Sequence, residues 1–480
     1  MRGEKDKLSH HRFVPFQFWR HIHNLQNWKG MVEIIKPETK KQHSVYKTEL
    51  RPGVSLTCIS TDIFKAGCVT VNLLCGLRHE TAAANALLPR VLRRGSINYP
   101  DMDCISAALD DLYGVRIEPI VRKKGELQCV GFYVDFPDDR YIPGGGSVLE
   151  KAINIVCEML LSPYMEDGVF CNDYVESEKS NLVDDIRAAI NDKRGYAVDR
   201  LLEEMCSDEA FGISKFGSES EALTITNRSL TEHYNDFIRN SKIELIYCGS
   251  AEPGHVEAAI NSSLDGLPGR ADAQVPGTSV IYQPVSDQTR RFNETLDVSQ
   301  GKLTVGFRMG AAMEVPDYPA LMILNALYGG SVTSKLFLNV RERLSLCYYT
   351  SSMIDRHKGV MIVASGIEFA MLNTALDEIL AQLENIRRGD ISDWEMTAAK
   401  LSVVTSVKSA LDRVGGLEEL YFDSAISAVP YDPAELSKLV EAVTPERVIS
   451  VAAGIKPDSV YFLSGKDCKE CSDDANGTTD

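Results

Sequence analysis

The sequence contains no long hydrophobic run and no excess of positive charge. No stretch approaches the roughly 20 apolar residues with which an α-helix crosses a bilayer, and no segment has the basic start, apolar middle and small-residue cleavage site of an export signal. Lysine and arginine number 51 against 68 aspartate and glutamate, a formal net charge of −17. Because tight nucleic-acid binding needs clustered positive charge, that function is disfavoured. We expect a protein that neither crosses a membrane nor is exported.

The sequence also lacks a disulfide or metal-binding arrangement of cysteines. Its twelve cysteines are scattered, and several lie inside apolar runs such as "VTVNLLCG", where buried free thiols are common. The one close pair, Cys468 and Cys471, has no second pair to complete a structural zinc site. A reducing cytoplasm fits this use of cysteine best.

The remaining composition is that of a globular protein, with 44% apolar and 25% charged residues over a length that needs more than one domain. The same order of strands and helices is predicted twice along the chain. Strands such as "CVTVNLLCG" and "KLTVGFRMG" precede helices and two further strands. Each half then closes with a short helix and a tyrosine-containing strand that ends on glycine, "KIELIYCGS" and "SVYFLSG". The sequence therefore predicts a duplicated α+β domain.

This duplication divides the chain into five segments. The first is basic, aromatic and without clear periodicity, so we expect a disordered extension there. A stretch rich in Gly, Pro, Ser and Gln is predicted to link the two halves. The predicted boundaries are 1–45 for the extension, 46–265 for the N-terminal domain, 266–291 for the linker, 292–466 for the C-terminal domain and 467–480 for a polar tail.

Three sequence phrases indicate a family. "GLRHE" before the first helix, "VLRRGSINYP" after it and "FLNVRERLSLCYY" in the second half resemble landmarks of the insulinase/pitrilysin zinc peptidases, and the resemblance covers most of residues 46–466. It implies two tandem homologous α/β-sandwich domains of the mitochondrial processing peptidase-like metallohydrolase fold. In active members the first helix carries H-x-x-E-H, whose two histidines bind zinc while the glutamate acts as general base.

The zinc motif itself is lost in this chain. Counting back from Gly95 and Ser96 aligns the motif with "ALLPR", in which Ala86 and Arg90 replace the histidines and Pro89 replaces the glutamate. The side chains of alanine and proline offer no donor atom and no proton acceptor, and a guanidinium repels a dication. We therefore expect no catalytic residue and no metal in this chain.

A later helix, predicted as one long helix over residues 172–206, keeps part of the family's acidic pattern. Glu178 and Asp185 are seven residues apart, two turns along one face of the predicted helix, where active members have two glutamates. Asp185 matches the third zinc ligand. Without the histidines, a solvated acidic helix surface is the favoured interpretation.

The second half keeps a more specific pair. In active members an arginine and a tyrosine seven residues later hold the substrate at the catalytic centre, and "RERLSLCY" places Arg341 and Tyr348 at that spacing. A guanidinium and a phenol can bind a peptide carbonyl and stabilise an oxyanion. The alternative is structural: Arg341 would cap a helix and Tyr348 would pack at the start of a strand.

A chain that has lost the zinc motif but keeps this pair resembles the degenerate subunit of the family's two-chain enzymes. The resemblance is strongest to inactive proteins of Gram-positive bacteria that are associated by name with elongation factor P modification. It implies a partner chain of similar size with an intact H-x-x-E-H motif, zinc in that partner, and peptide substrates. The alternative function is a metal-free homodimer that binds peptides or serves as a scaffold.

Overall fold

The computed structural model describes residues 43–269, 273–310, 317–427 and 431–466. Most of the predicted N-terminal extension and the whole polar tail, with Cys468 and Cys471, lie outside the described residues. Within the described ranges, no helix combines the length and the apolar character that crossing a membrane requires.

The N-terminal half consists of one large sheet, a short two-stranded ribbon and helices. Its strands are β1 (Ser44–Arg51), β2 (Val54–Ser60), β3 (Ala66–Gly76), β4 (Arg116–Lys124), β5 (Leu127–Pro137), β6 (Met165–Glu166), β7 (Val169–Phe170) and β8 (Lys242–Gly249). Its helices are α1 (His79–Leu92), α2 (Met102–Asp110), α3 (Val148–Leu161), α4 (Asn172–Ala188), α5 (Lys193–Met205), α6 (Glu219–Thr224), α7 (Asn227–Asn240) and α8 (Pro253–Ser263).

The C-terminal half contains a second sheet. Its strands are β9 (Arg290–Leu296), β10 (Gly301–Arg308), β11 (Cys347–Asp355), β12 (Val360–Ile367) and β13 (Lys456–Gly465). Its helices are α9 (Tyr318–Asn325), α10 (Leu372–Arg387), α11 (Asp393–Leu411), α12 (Val414–Ala425), α13 (Leu436–Glu441) and α14 (Pro445–Ala453). Two π-helical segments, Ala326–Gly330 and Leu336–Arg343, follow α9.

The two sheets share one strand order. The N-terminal sheet runs β1-β2-β8-β3-β5-β4 and the C-terminal sheet runs β9-β13-β10-β12-β11, so the second repeats the first without β1. The pairs β2·β8 and β9·β13 are parallel. All the other corresponding pairs are antiparallel. The predicted duplication of an α+β domain is confirmed.

Strand β3 shows why the central strands are apolar almost throughout. Val69, Val71 and Leu73 point into the main N-terminal core, which contains residues of α1 and α3. Cys68 and Leu74 point to the opposite face, into a second apolar cluster. Because successive side chains of a strand alternate between faces, a strand covered on both sides is apolar at nearly every position.

The second face of each sheet is covered by a helix of the opposite half. Helix α12 places Leu417 and Phe422 against the N-terminal sheet. In return, α5 places Ala197 and Leu201 against the C-terminal sheet. This reciprocal exchange buries apolar area that neither half could cover alone, and apolar burial is the main stabilising contribution in folding.

Ion pairs between the halves surround these exchanged helices. Arg122 of β4 donates two hydrogen bonds to the carboxylate of Glu418 in α12, at 2.9 and 3.0 Å. Lys358, between β11 and β12, donates to Oε1 of Glu126 at 2.6 Å. Glu418 and Lys358 are almost fully buried. Charges buried to this extent are tolerated only when paired, so each half supplies the counter-ion that the other needs.

Several elements differ from the sequence prediction, and helix α12 is one that the sequence does not predict. Strands β1 and β9 are not predicted, and β9 begins at Arg290, inside the segment predicted as linker. Its sequence "RRFNETL" is mostly polar, which is typical of a linker. The long helix expected over residues 172–206 is two helices, because Asp192 accepts hydrogen bonds from the backbone of Arg194 and Gly195 and so caps a new helix, α5.

Candidate functional site

Helix α1 carries the degenerate motif and packs against α4. Ala86 is fully buried, and Pro89 is buried inside the helix. Arg90, one turn beyond Ala86, extends from the last turn of the helix and keeps 18% of its side chain exposed. Residues four apart share a helical face, so the two positions of the lost histidines remain neighbours.

Two arginines at the end of α1 pair with carboxylates of α4. Nη2 of Arg90 donates to Oδ2 of Asp185 at 2.7 Å. Nη1 of Arg94 donates to Oε1 of Glu178 at 3.0 Å. The side chain of Glu178 is only 14% exposed, so this residue does not lie on a solvated surface as the sequence suggested. Each of the two acidic residues that remain of the family pattern thus accepts a hydrogen bond from an arginine.

The side chains at the motif positions do not fit a zinc ion. Ala86 and Pro89 carry no donor atom, and Arg90 brings a permanent positive charge. Asp185, the match to the third ligand, already accepts a hydrogen bond from Arg90. In the described parts of the chain, no group of three or more His, Cys, Asp or Glu could hold a metal ion. No metal-dependent step can use these side chains.

An open cleft borders the degenerate motif. Its volume is about 310 Å³, and its lining consists of Arg90, Arg93, Arg94, Glu178, Asn181, Met102, Pro119, Val121 and Phe216. The guanidinium of Arg94 lies 4.9 Å from the ring centroid of Tyr174, and that of Arg90 lies 5.9 Å from the ring centroid of Phe216. One wall is therefore cationic and another is apolar. We call this space the arginine cleft.

One side of the arginine cleft is formed by the edge of the N-terminal sheet. Pro119 and Val121 belong to β4, whose only hydrogen-bonded neighbour among the described strands is β5. Proline lacks a backbone donor and is tolerated mainly on such edge strands. The outer edge of β4 presents backbone groups with which an added strand could pair.

A buried polar network supports α1 from beneath. The Asn85 side chain donates to Oε1 of Gln128 at 2.8 Å, and its Oδ1 lies 2.7 Å from Nε2 of His233. Gln128 in turn donates to the carbonyls of Ala82 and Lys215, at 2.9 and 2.7 Å. Burial lowers the pKa of His233, which favours its neutral form. The network holds α1 in place and thereby positions the arginines at the C-terminal end of this helix.

The predicted substrate-binding residues lie at the surface of the C-terminal half, each with its own partners. Arg341 is 40% exposed, its Nε lies 3.5 Å from Oε1 of Glu342, and its guanidinium lies 4.7 Å from the ring centroid of Phe337. Tyr348 is 59% exposed and donates to Oε1 of Glu368 at 3.1 Å. This hydrogen bond raises the pKa of Tyr348. Both polar groups are accessible, as substrate binding requires.

The sequence interpretation missed the other arginines of the cleft. Arg93 and Arg94 stand in the phrase "VLRRG", which served only as a family landmark. The sequence did contain a signal, because residues 93 and 94 follow residue 90 by three and four positions and therefore lie on the same side of a helix as residue 90. Their opposition to Glu178 and Asp185 requires the packing of α1 on α4, which the sequence does not give.

Comparison with known proteins identifies the family. The family described as "Peptidase M16 inactive domain" matches residues 224–403. A relative from Bacillus subtilis (strain 168), named "Probable inactive metalloprotease YmfF", is 31% identical over 426 residues, which cover 88% of this chain and 98% of the relative. The chain belongs to the M16 peptidase family.

Two solved structures share the fold of this chain. A conserved protein from Enterococcus faecalis V583 superposes with a TM-score of 0.79 at 27% identity and covers 88% of this chain and 99% of its own. The peptidase M16 inactive domain from Pseudomonas fluorescens gives a TM-score of 0.71 at 14% identity, with 88% and 98% covered. The second likeness concerns the fold alone. Together with the lost ligands, these findings make the chain an inactive M16 peptidase homologue.

Proposed function

We propose that this chain binds unfolded peptides and acts as the non-catalytic subunit of a two-chain peptidase. Its partner would be an M16 chain of similar size with an intact H-x-x-E-H motif and bound zinc. The observation that carries the proposal is the arginine cleft, which lies at the degenerate motif and beside the open edge of β4. A peptide strand can pair with such an edge while its alternate side chains enter the neighbouring cleft.

In this proposal the C-terminal half serves the partner's zinc centre. Arg341 and Tyr348 would bind the scissile carbonyl of the peptide and stabilise the oxyanion that forms on it. Their present partners support the role, because neither residue is committed to a buried interaction. The contacts of Arg341 with Glu342 and of Tyr348 with Glu368 are surface contacts, which contribute little to stability.

The setting proposed for this complex is a reducing cytoplasm. The ten cysteines within the described residues are free thiols, which supports this setting. The link to elongation factor P modification, which the family resemblance implies, stays a prediction.

The first test is to capture the tagged chain gently from its own cells and to determine the composition of the complex by native mass spectrometry. We expect a one-to-one complex with a zinc-containing H-x-x-E-H chain that cleaves oligopeptides. In that complex, Arg341→Ala should lower kcat/KM by about 100-fold or more, the usual loss when one oxyanion donor is removed.

A matched control is available two residues further along the same segment. Arg343 is 62% exposed and lies 3.6 Å from Glu378, so Arg343→Ala removes a similar charge with a similarly weak partner. We expect this variant to keep its activity. Unchanged turnover in Arg341→Ala would remove the role assigned to Arg341. A metal-free homodimer in place of the mixed complex would favour the alternative function, a peptide-binding or scaffold protein.

A further inference from the structure

The arginine cleft is cationic within an acidic protein. The chain has a formal net charge of −17, yet three arginines and a single carboxylate, Glu178, line the cleft. The carboxylate that pairs with Arg90, Asp185, is not part of the lining. The arginine side chains are only 18 to 31% exposed, so their charges are less screened by water than those of fully exposed residues.

Two of these arginines have unused hydrogen-bonding capacity. Nε of Arg94 is buried and has no hydrogen-bond partner among the described residues. Among the described residues, the carboxylate oxygen nearest to Arg93 is Oε1 of Glu118; at 3.7 Å it forms an ion pair but is too distant for a hydrogen bond. Within the described part of the chain the guanidinium of Arg93 thus has an ion-pair neighbour but no hydrogen-bonded carboxylate, and its planar donors are of the kind that binds a carboxylate with two parallel hydrogen bonds.

The edge strand determines which groups of a bound peptide would reach these arginines. Pro119 and Val121 both line the cleft and are two residues apart, so they lie on the same face of β4. A peptide paired with the edge of β4 would point every second side chain to that face. The apolar residues of the cleft could contact the methylene groups of such a side chain while its end reaches Arg93.

We infer that the arginine cleft selects peptides with an acidic side chain, aspartate or glutamate, and that the guanidinium of Arg93 binds this carboxylate. The inference rests on the proposed peptide-binding function and specifies its substrate class. It assigns a selective role to a cleft that borders the degenerate motif. The resulting specificity is electrostatic, so it weakens as salt is added.

The test uses two labelled peptides that differ in one group. An unstructured peptide of alternating serine and valine carries a central glutamate, and its twin carries glutamine there. Fluorescence anisotropy measures the Kd of each for the full chain in the form in which it is purified from its own cells. We expect the glutamate peptide to bind about tenfold more tightly at low salt, the effect of one charge-assisted interaction. In Arg93→Gln the preference should fall below about threefold.

The control variant is Arg239→Gln, which removes an equal charge from the exposed end of α7, outside the cleft lining. It should keep the tenfold preference. Equal affinity of the unmodified chain for both peptides would overturn the inference and leave peptide binding intact. A preference that persists in a folded Arg93→Gln chain would also overturn it. If neither peptide binds, the proposed function fails as well, and the two failures are thus distinguishable.

Discussion

Arg90 occupies one lost histidine position and pairs with Asp185, the match to a lost ligand. An ion pair thus stands where the family resemblance implies a metal. The two ion pairs between α1 and α4 differ in burial, since Asp185 is 56% exposed whereas Glu178 is 14% exposed. Exposed ion pairs contribute little free energy, whereas leaving one partner of a buried pair without its counter-ion is costly.

Single substitutions should therefore show that the two ion pairs contribute differently to the free energy of unfolding. Asp185→Asn is expected to lower the free energy of unfolding by less than about 1 kcal/mol. Glu178→Gln should lower it by about 2 kcal/mol, because Arg94 then lacks a counter-ion at a largely buried site. Urea denaturation followed by circular dichroism measures both values. The ordering is contradicted if Asp185→Asn proves the more destabilising of the two.

These residues also mark how far the sequence could predict the site. The loss of both histidine positions and the spacing of Glu178 and Asp185 can be read directly from the sequence. The partners of these carboxylates cannot be, because they come from a different helix at a distance of more than 80 residues along the chain. For the same reason the sequence suggests a solvated Glu178, whereas helix packing buries it.

Among the secondary-structure elements, the central strands were predictable, whereas β1 and β9, each at one edge of its sheet, were not. The central strands are continuously apolar because helices cover both faces of each sheet. Strand β9 lies at the sheet edge with an alternating pattern of half-buried and exposed side chains, and its composition does not distinguish it from a linker. Its parallel pairing with β13 supplies the backbone hydrogen bonds that make it a strand.

The packing of α5 on the C-terminal sheet depends on a glycine in β10. A methyl group at Gly306 would collide with the sulfur of Met205 and would lie 3.4 Å from a methyl group of Leu201, both in α5. We therefore expect Gly306→Ala to lower the free energy of unfolding by about 1 kcal/mol or more through overpacking.

The matched control is Gly254→Ala in the first turn of α8, where an added methyl group has no neighbour within 4 Å. It should raise the free energy of unfolding by about 0.5 kcal/mol, because alanine restricts the unfolded chain and favours the helix. Urea titration of the two variants gives both changes. Equal effects would show that α5 yields to the extra methyl group and that Gly306 is not required for its packing.

At the scale of the whole molecule, the exchange of α5 and α12 joins the halves into one unit. Neither helix is predicted from the sequence as a separate element, and which sheet each of them covers follows only from the tertiary packing. Charged residues also lie in the interface, and Asp423 of α12 contacts three basic side chains. It lies 2.7 Å from Nε2 of His357, 3.4 Å from Nε of Arg356 and 3.5 Å from Nζ of Lys124, the last of which belongs to the opposite half.

This interface should therefore weaken in acid. Burial alone would raise the pKa of Asp423, but the hydrogen bond with His357 and the charges of Lys124 and Arg356 outweigh it and lower the pKa well below the ordinary 3.8. A carboxylate with a lowered folded-state pKa stabilises the fold above its unfolded-state pKa, and this contribution is lost as the pH falls through the folded-state value. The loss thus begins below about pH 3.8.

Asp423→Asn tests this assignment because it removes the charge and keeps the shape. At neutral pH the free energy of unfolding of the variant should be about 3 kcal/mol lower, because Lys124, His357 and Arg356 lose their shared counter-ion. As the pH falls below 3.8, the native protein loses the same contribution, so the difference between the two should shrink. Urea unfolding measured from neutral to acid pH follows this difference. A difference that is absent at neutral pH, or that grows in acid, would show that Asp423 does not join the halves electrostatically.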